Sequence, residues 1–166
     1  NGRGKSILAK LMAGVLRPTS GTLKVCDSVT YVPQVLQIQA GDSLAHLTGT
    51  SPALAALERM ARGEARAGDL EVIDDRWDLA ERLRAALDAA GLPTLGTDTP
   101  AHSLSGGQLA RVAIIGALLA APQLLILDEP SNHLDSAGRD WLRQTLRDWR
   151  GGLVVVSHDR RLLNSL

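Results

Sequence analysis

The sequence predicts an α/β fold built on a parallel sheet, and three observations carry that prediction. Residues 123–127, apolar from Leu124 onward, and 153–156 are apolar runs, the pattern of parallel strands covered on both faces. Between them the arginine-bearing segment 137–149 reads as a helix, and parallel neighbours need a crossover of about a dozen residues or more. A glycine-rich hexapeptide, Asn1 to Ser6, runs directly into a segment with Ile7, Leu8, Leu11, Met12 and Val15 at helical spacing. Such a junction offers backbone amides at a positively polarised helix start.

The remaining elements follow in order. The helix after the opening loop extends over 6–16, with Gly14 as a tolerated interruption. Pro18, Thr19, Ser20 and Gly21 are a turn signal, after which 22–25 and 29–32 read as the two strands of a short antiparallel hairpin. From about Asp42 to Gly91 the alanine, leucine, glutamate and arginine content is helical, with Trp77, Ala80, Leu83, Leu87 and Ala90 as one apolar stripe. Residues 91–100, rich in glycine, proline and threonine, form a loop that returns the chain to a new helix near Leu104. The expected organisation is one domain, with a core of 1–40 and 105–166 and a helical subdomain of about 41–104, incomplete at both ends.

Composition narrows the function classes. The 166 residues are 45% hydrophobic, enough for a core, and the formal net charge is zero, so no global basic field advertises a nucleic-acid or anionic-membrane partner. Cys26 is the only cysteine, which excludes an internal disulfide and a cysteine-built metal cage and suits a reducing cytoplasm. The longest apolar stretch, 112–127, is broken by Pro122 and Gln123 and falls short of the ~20 residues a spanning helix needs. Asn1 begins no secretory signal, because glycines and a lysine stand where an apolar region would be.

Two motifs point to phosphate chemistry. Asn1, Gly2, Arg3, Gly4, Lys5 and Ser6 match the last six positions of G-x-x-x-x-G-K-[ST], whose first glycine and preceding strand are expected upstream of Asn1. The glycines let successive N–H groups face one phosphate, Lys5 can reach the terminal phosphates, and Ser6 can ligate Mg²⁺. Alone, the half-motif suits an ordinary glycine-rich helix start equally well. Its counterpart is Asp128 and Glu129 at the end of the run 124–127, where a parallel sheet delivers ligands to a crevice. Asp128 is expected to hold Mg²⁺ through water, and Glu129 to orient or deprotonate the water that attacks a γ-phosphate. Without the phosphate loop, this pair could simply end a strand and cap the next helix. Together the two motifs predict a P-loop NTPase-like core.

A third motif, Leu104, Ser105, Gly106, Gly107 and Gln108, opens a helix with Ser105 as N-cap and exposes amides at the positive end of its dipole. Five specified residues recur by chance at ~1 in 10⁶ positions. The segment resembles the signature loop that defines ATP-binding-cassette (ABC) ATPases, and the order of the other pieces agrees. Gln34 matches the family's Q-loop, which reports Mg²⁺ and water occupancy to the helical subdomain. Asp135 matches the D-loop, and His158 matches the switch histidine that contacts the γ-phosphate. Taken singly, Gln34 could be a turn residue, Asp135 a helix N-cap and His158 a solvated loop residue. The resemblance spans 1–163 and implies ATP and Mg²⁺ as cofactors, an ATPase activity, and catalytic roles for Glu129, His158 and Gln34. It implies metal contacts from Ser6, Gln34 and Asp128. It implies nucleotide contacts from residues 1–7 (Asn1, Gly2, Arg3, Gly4, Lys5, Ser6, Ile7), from Ser105, Gly106, Gly107 and Gln108, and from Asp135. In this family each ATP is sandwiched between one cassette's phosphate loop and another's signature, so a second cassette, in the same polypeptide or another chain, is an expected partner.

Within the family the chain resembles the ABC-F branch, which carries paired cassettes and no membrane spans. Asp128 to Asp135 reads close to that branch's wording, and transporter subunits usually differ at Asn132 and His133. Lys5 and Gln34 are 29 positions apart, too few for the extra strand segment typical of transporter subunits. The stretch 69–92 resembles the first cassette of some bacterial members. The resemblance implies a ribosome (rRNA) partner, with antibiotic protection among the possible roles, and the ATPase subunit of a membrane transporter with its permease as the alternative. Ile7 departs from the family's usual hydroxyl residue, so a contact to the α-phosphate worth about 0.5 to 1.5 kcal/mol is expected to be lost. The residue that stacks on adenine is expected upstream of Asn1; with a core strand and half of the phosphate loop also expected there, these 166 residues alone should bind nucleotide weakly.

Overall fold

The computed structural model describes residues 3–166, with the side chain of Arg3 excepted, and divides them into two compact units. One joins the described part of Asn1–Gln37 to Ala120–Leu166; the other is Ile38–Leu119.

The first unit is the α/β core. Its sheet has three parallel strands in the order β1 (Val29–Val32), β2 (Leu124–Asp128), β3 (Gly152–Val156). β2 is central, and Leu125, Ile126 and Leu127 are fully buried, as an unbroken apolar run requires. The run 153–156 behaves differently: β3 lies beside β2 alone among the described residues and is half-buried. The crossover is α7 (Ser136–Asp148), which turns Leu142 and Leu146 inward and its arginines outward. The side chain of Asp135 accepts the Gly138 N–H at 2.8 Å and starts this helix. After α7 the Trp149 indole donates to the Gly152 carbonyl at 3.2 Å and lies over Gly151, where a Cβ would come within 2.8 Å of the ring. That glycine lets the chain turn tightly into β3.

The expected hairpin does not form. Val29–Val32 pairs in parallel with Leu124–Leu127, and residues 22–25 carry no strand, with Leu23 and Val25 exposed. A strand needs a ladder partner, and all four residues of β1 find theirs in β2, whose apolar run is buried. In α1 (Arg3–Met12) the expected apolar stripe is also displaced. Ala9 is its buried residue, whereas Ile7 and Leu8 are about half exposed; the helix ends at Met12, short of the expected 16, which leaves the exposed Val15 beyond it, and it packs on β2 and β3 through its small side.

The second unit contains α2 (Leu44–Leu47), α3 (Ser51–Ala61), α4 (Asp69–Ile73), α5 (Leu79–Ala89) and α6 (Gly106–Leu119). The helical character expected over 42–91 is present, but the stripe on α5 is Leu79, Leu83 and Leu87, continued by Ala90; Trp77 and Ala80 are exposed. Trp77 precedes the helix, so helical spacing does not apply to it. Asp69 begins α4 and is clamped by the Arg59 guanidinium of α3 and by the Arg66 N–H at 2.8 Å. Leu44 and Ala45 donate to the Thr99 and Thr97 carbonyls at 2.9 and 3.0 Å, fastening α2 to the returning loop. The helix α6, apolar on most sides, packs on α2 and α5 and so groups with the helical unit, whereas the sequence placed it with the core. Arg111 of α6 donates to the Ala90 carbonyl at 2.9 Å, at the end of α5.

Candidate functional site

At the carboxyl end of the three strands, the core unit gathers residues from four separate segments. Asp128 ends β2 with 3% of its surface exposed, and each of its carboxylate oxygens has a donor. Ser6, in the first turns of α1, donates to Oδ1 at 3.0 Å, and the Tyr31 hydroxyl of β1 donates to Oδ2 at 3.1 Å. The register explains the second contact. Tyr31 lies opposite Ile126, two residues before Asp128, and residues two apart share a sheet face, so the long phenol reaches the diagonal carboxylate. Burial first, then the charge and hydrogen bond of Asp128, push the Tyr31 hydroxyl up to about 12, so at neutral pH it is a proton-bearing donor.

Glu129 leaves the strand in a left-handed conformation, φ +50°, with its own N–H given to the Val156 carbonyl at 2.7 Å. That turn brings its buried carboxylate to His158. The His158 backbone N–H donates to Oε2 at 3.2 Å, and the ring Nε2 lies 3.4 Å from Oε1, while the imidazole itself is 69% exposed. Asp159 then caps the short α8 (Arg160–Leu163) by accepting the N–H groups of Arg161 and Leu162 at 2.9 and 3.2 Å, which anchors the loop carrying His158. Beside this loop opens a cleft of about 720 Å³ whose lining includes Asn132, Arg139, Arg143, Arg160 and Arg161.

The structure therefore brings Ser6, Asp128, Glu129 and His158 together. Gly4 and Lys5 are exposed in the first turn of α1, and Ile7 is half exposed after them. Asn1 and Gly2 lie outside the described residues, as does the side chain of Arg3. Gln34 is exposed two positions beyond β1, at the same end of the sheet, without a hydrogen bond to Asp128 or Glu129. Asp135 serves as the N-cap of α7. Tyr31 was missed as a site residue, because only the pairing register, invisible in the sequence, sets it beside Asp128.

The oxygen set suits a hard divalent cation. Ser6 Oγ and the Asp128 carboxylate stand together, and no group of three or more His, Cys, Asp or Glu forms a metal cage among the described residues. Mg²⁺ characteristically takes one or two protein oxygens and completes its shell with water and phosphate.

In the helical unit, Leu104 to Gln108 forms a reciprocal cap. Ser105 Oγ accepts the Gln108 N–H at 3.3 Å, and Gln108 Oε1 accepts the Ser105 N–H at 2.8 Å. Ser105 and Gly106 are exposed at the start of α6, so its first amides are open to an anion.

Comparisons with known proteins bear on the family and the fold. The family model described as "ABC transporter" matches residues 1–132. The chain is 35% identical to the tylosin resistance ATP-binding protein TlrC of Streptomyces fradiae, over all of the chain and 34% of that protein. It is 32% identical to the energy-dependent translational throttle protein EttA of Mycobacterium tuberculosis, over all of the chain and 33% of that protein. Among solved structures, the complex of the archaeal ribosomal stalk protein aP1 with the archaeal ribosome recycling factor aABCE1 superposes with a TM-score of 0.68 at 27% identity, covering 98% of the chain and 28% of its counterpart. The chain spans about a third of the length of the curated relatives it matches. No helix among the described residues is long and apolar enough to cross a membrane.

Proposed function

Since the chain belongs to the ABC family of ATP-binding cassettes and is most like its ABC-F branch, we propose that the full-length protein hydrolyses ATP between paired cassettes in the cytoplasm and uses their closure to act on the ribosome. The observation that carries the hydrolytic part is the convergence of Ser6, Asp128, Glu129 and His158 at one end of the sheet. Lys5 and the first amides of α1 attract the phosphates. Ser6 and Asp128 would hold Mg²⁺, which neutralises charge developing on the phosphate oxygens. Glu129 orients a water toward the γ-phosphorus and accepts its proton, the new P–O bond forms as the bond to the β,γ-bridging oxygen breaks, and ADP leaves. His158 shares the Glu129 carboxylate and senses the γ-phosphate. Asp135, Gln34 and the second cassette's counterpart of Ser105 to Gln108 complete the closed state, so binding and release of the γ-phosphate drive domain movement.

Support for the ribosomal output comes from Asn132 and His133, from the short Lys5–Gln34 interval, and from relatives named for translational control and tylosin resistance. Antibiotic protection is the finer role that the resistance in the first of these names favours. The test is Glu129→Gln in the full-length protein. It should bind ATP, hydrolyse it at least ~10²-fold more slowly, and remain with ribosomes in sedimentation when ATP is present. Parental turnover would remove Glu129 from its role. Association with membranes instead of ribosomes would favour a transporter subunit.

A further inference from the structure

Asp128 is a nearly buried carboxylate at the end of an apolar strand, and it is held from two sides by neutral donors. The two are not equivalent. Ser6 belongs to the phosphate loop, and its hydroxyl is the oxygen expected to take up the cation there. Tyr31 sits on β1, fixed by four consecutive pairings to β2, with its own strand position opposite Ile126. Its hydrogen bond to Oδ2 is therefore anchored in the sheet and outside the phosphate loop.

We propose that Tyr31 is a positioning residue for the magnesium-binding carboxylate: its hydroxyl fixes Oδ2 so that Oδ1 stays aimed at Ser6. This rests on the metal reading of Ser6 and Asp128 given above. A neutral phenol suits the task better than an arginine or lysine, because it fixes the carboxylate without cancelling the charge that attracts the cation. It also supplies a hydrogen bond that a buried carboxylate oxygen would otherwise lack, since water has little access there.

The experiment uses Tyr31→Phe in the full-length protein, with fluorescent MANT-ATP as the probe and binding titrated with and without Mg²⁺. The variant should bind MANT-ATP in EDTA within about twofold of the parent, while the Mg²⁺ concentration that half-maximally strengthens binding rises about tenfold, the usual scale for a hydrogen bond to a charged acceptor. Tyr31→Leu, which also lacks a donor, should show the same rise and serves if the Phe variant folds poorly. A role in stability alone would lower the melting temperature and the Mg²⁺-free affinity and leave the Mg²⁺ midpoint in place; that result overturns the proposal, as does a parental midpoint in a well-folded Tyr31→Phe protein. Asp128→Asn separates the two levels. If it too keeps the parental Mg²⁺ response, the metal reading of the site fails; if it abolishes the response while Tyr31→Phe leaves it intact, only the role of Tyr31 falls.

Discussion

Gly116 lies inside α6, in its last turn, where alanine should be the better residue by about 1 kcal/mol of helix propensity. The structure predicts the opposite outcome for Gly116→Ala. A Cβ placed there would stand 2.5 Å from Thr48 Cα, 2.8 Å from its carbonyl oxygen and 2.9 Å from its carbonyl carbon. Carbon atoms in contact prefer about 3.5 to 4.0 Å, so the two backbones must part by roughly 1 Å. No rotamer change relieves this, because all three obstructing atoms are main chain. Thr48 is also tethered: its N–H and hydroxyl both reach the Leu44 carbonyl at 3.0 Å, and its Oγ1 shares a hydrogen bond of 2.8 Å with Thr50. An overpacking penalty near the top of the usual range, about 3 kcal/mol, outweighs the propensity gain and leaves a net loss of about 2 kcal/mol. Urea denaturation of the full-length protein, with Gly96→Ala as the control, measures it; Gly96 has open space around its Cβ position and no positive φ, so its variant should stay within ~0.5 kcal/mol of the parent. A Gly116→Ala protein as stable as the parent, or more so, would refute the close approach of α2 and α6.

Two further predictions concern the caps and clamps. The Arg59 guanidinium, followed by the Arg66 N–H, holds the Asp69 carboxyl below the ordinary 3.8, so its stabilising contribution is present above that value and is lost as pH falls through the lower folded-state value. Unfolding midpoints of the parent and of Asp69→Asn should therefore differ at neutral pH and converge in acid; a constant gap would sink the assignment. Asp135→Ala should destabilise the protein by about 1 kcal/mol through loss of the α7 cap, and Asp135→Asn should restore it, because asparagine caps equally well. Slowed ATP turnover in a fully stable Asp135→Asn protein would show that the carboxylate also serves the paired cassettes, whereas parental turnover would confine it to capping.

What could be read in advance was governed by how local the cause is. The β2–α7–β3 unit was legible because unbroken apolar runs, a crossover of adequate length and an Asp135 cap are local signals. Ser105 as N-cap was legible for the same reason, and the structure adds its reciprocal bond with Gln108. Asp128 and Glu129 were legible as a pair, but not the division between them, one carboxylate held by Ser6 and Tyr31 and the other by the His158 loop. The choice of partner by β1 was hidden, since 22–25 has strand-like composition yet forms no strand, and the pairing with β2 joins segments far apart in the chain. Tyr31 was hidden with it, because its role depends on that register. The stripe through Trp77 and Ala80 failed because the α5 helix starts after Trp77 and turns Leu79 inward.

The left-handed backbone at Glu129 sets the terms on which this position can change. Non-glycine residues hold such a conformation at a cost of order 1 kcal/mol or more, and here the cost is met because the twist aims the carboxylate at the His158 loop. Glycine, asparagine and aspartate would relax the main chain, yet none of them carries a carboxylate on a side chain long enough to keep that reach. On the role proposed for Glu129, a tougher fold and turnover pull in opposite directions at one residue: the backbone energy that Glu129 forgoes goes only to a residue that gives up its reach.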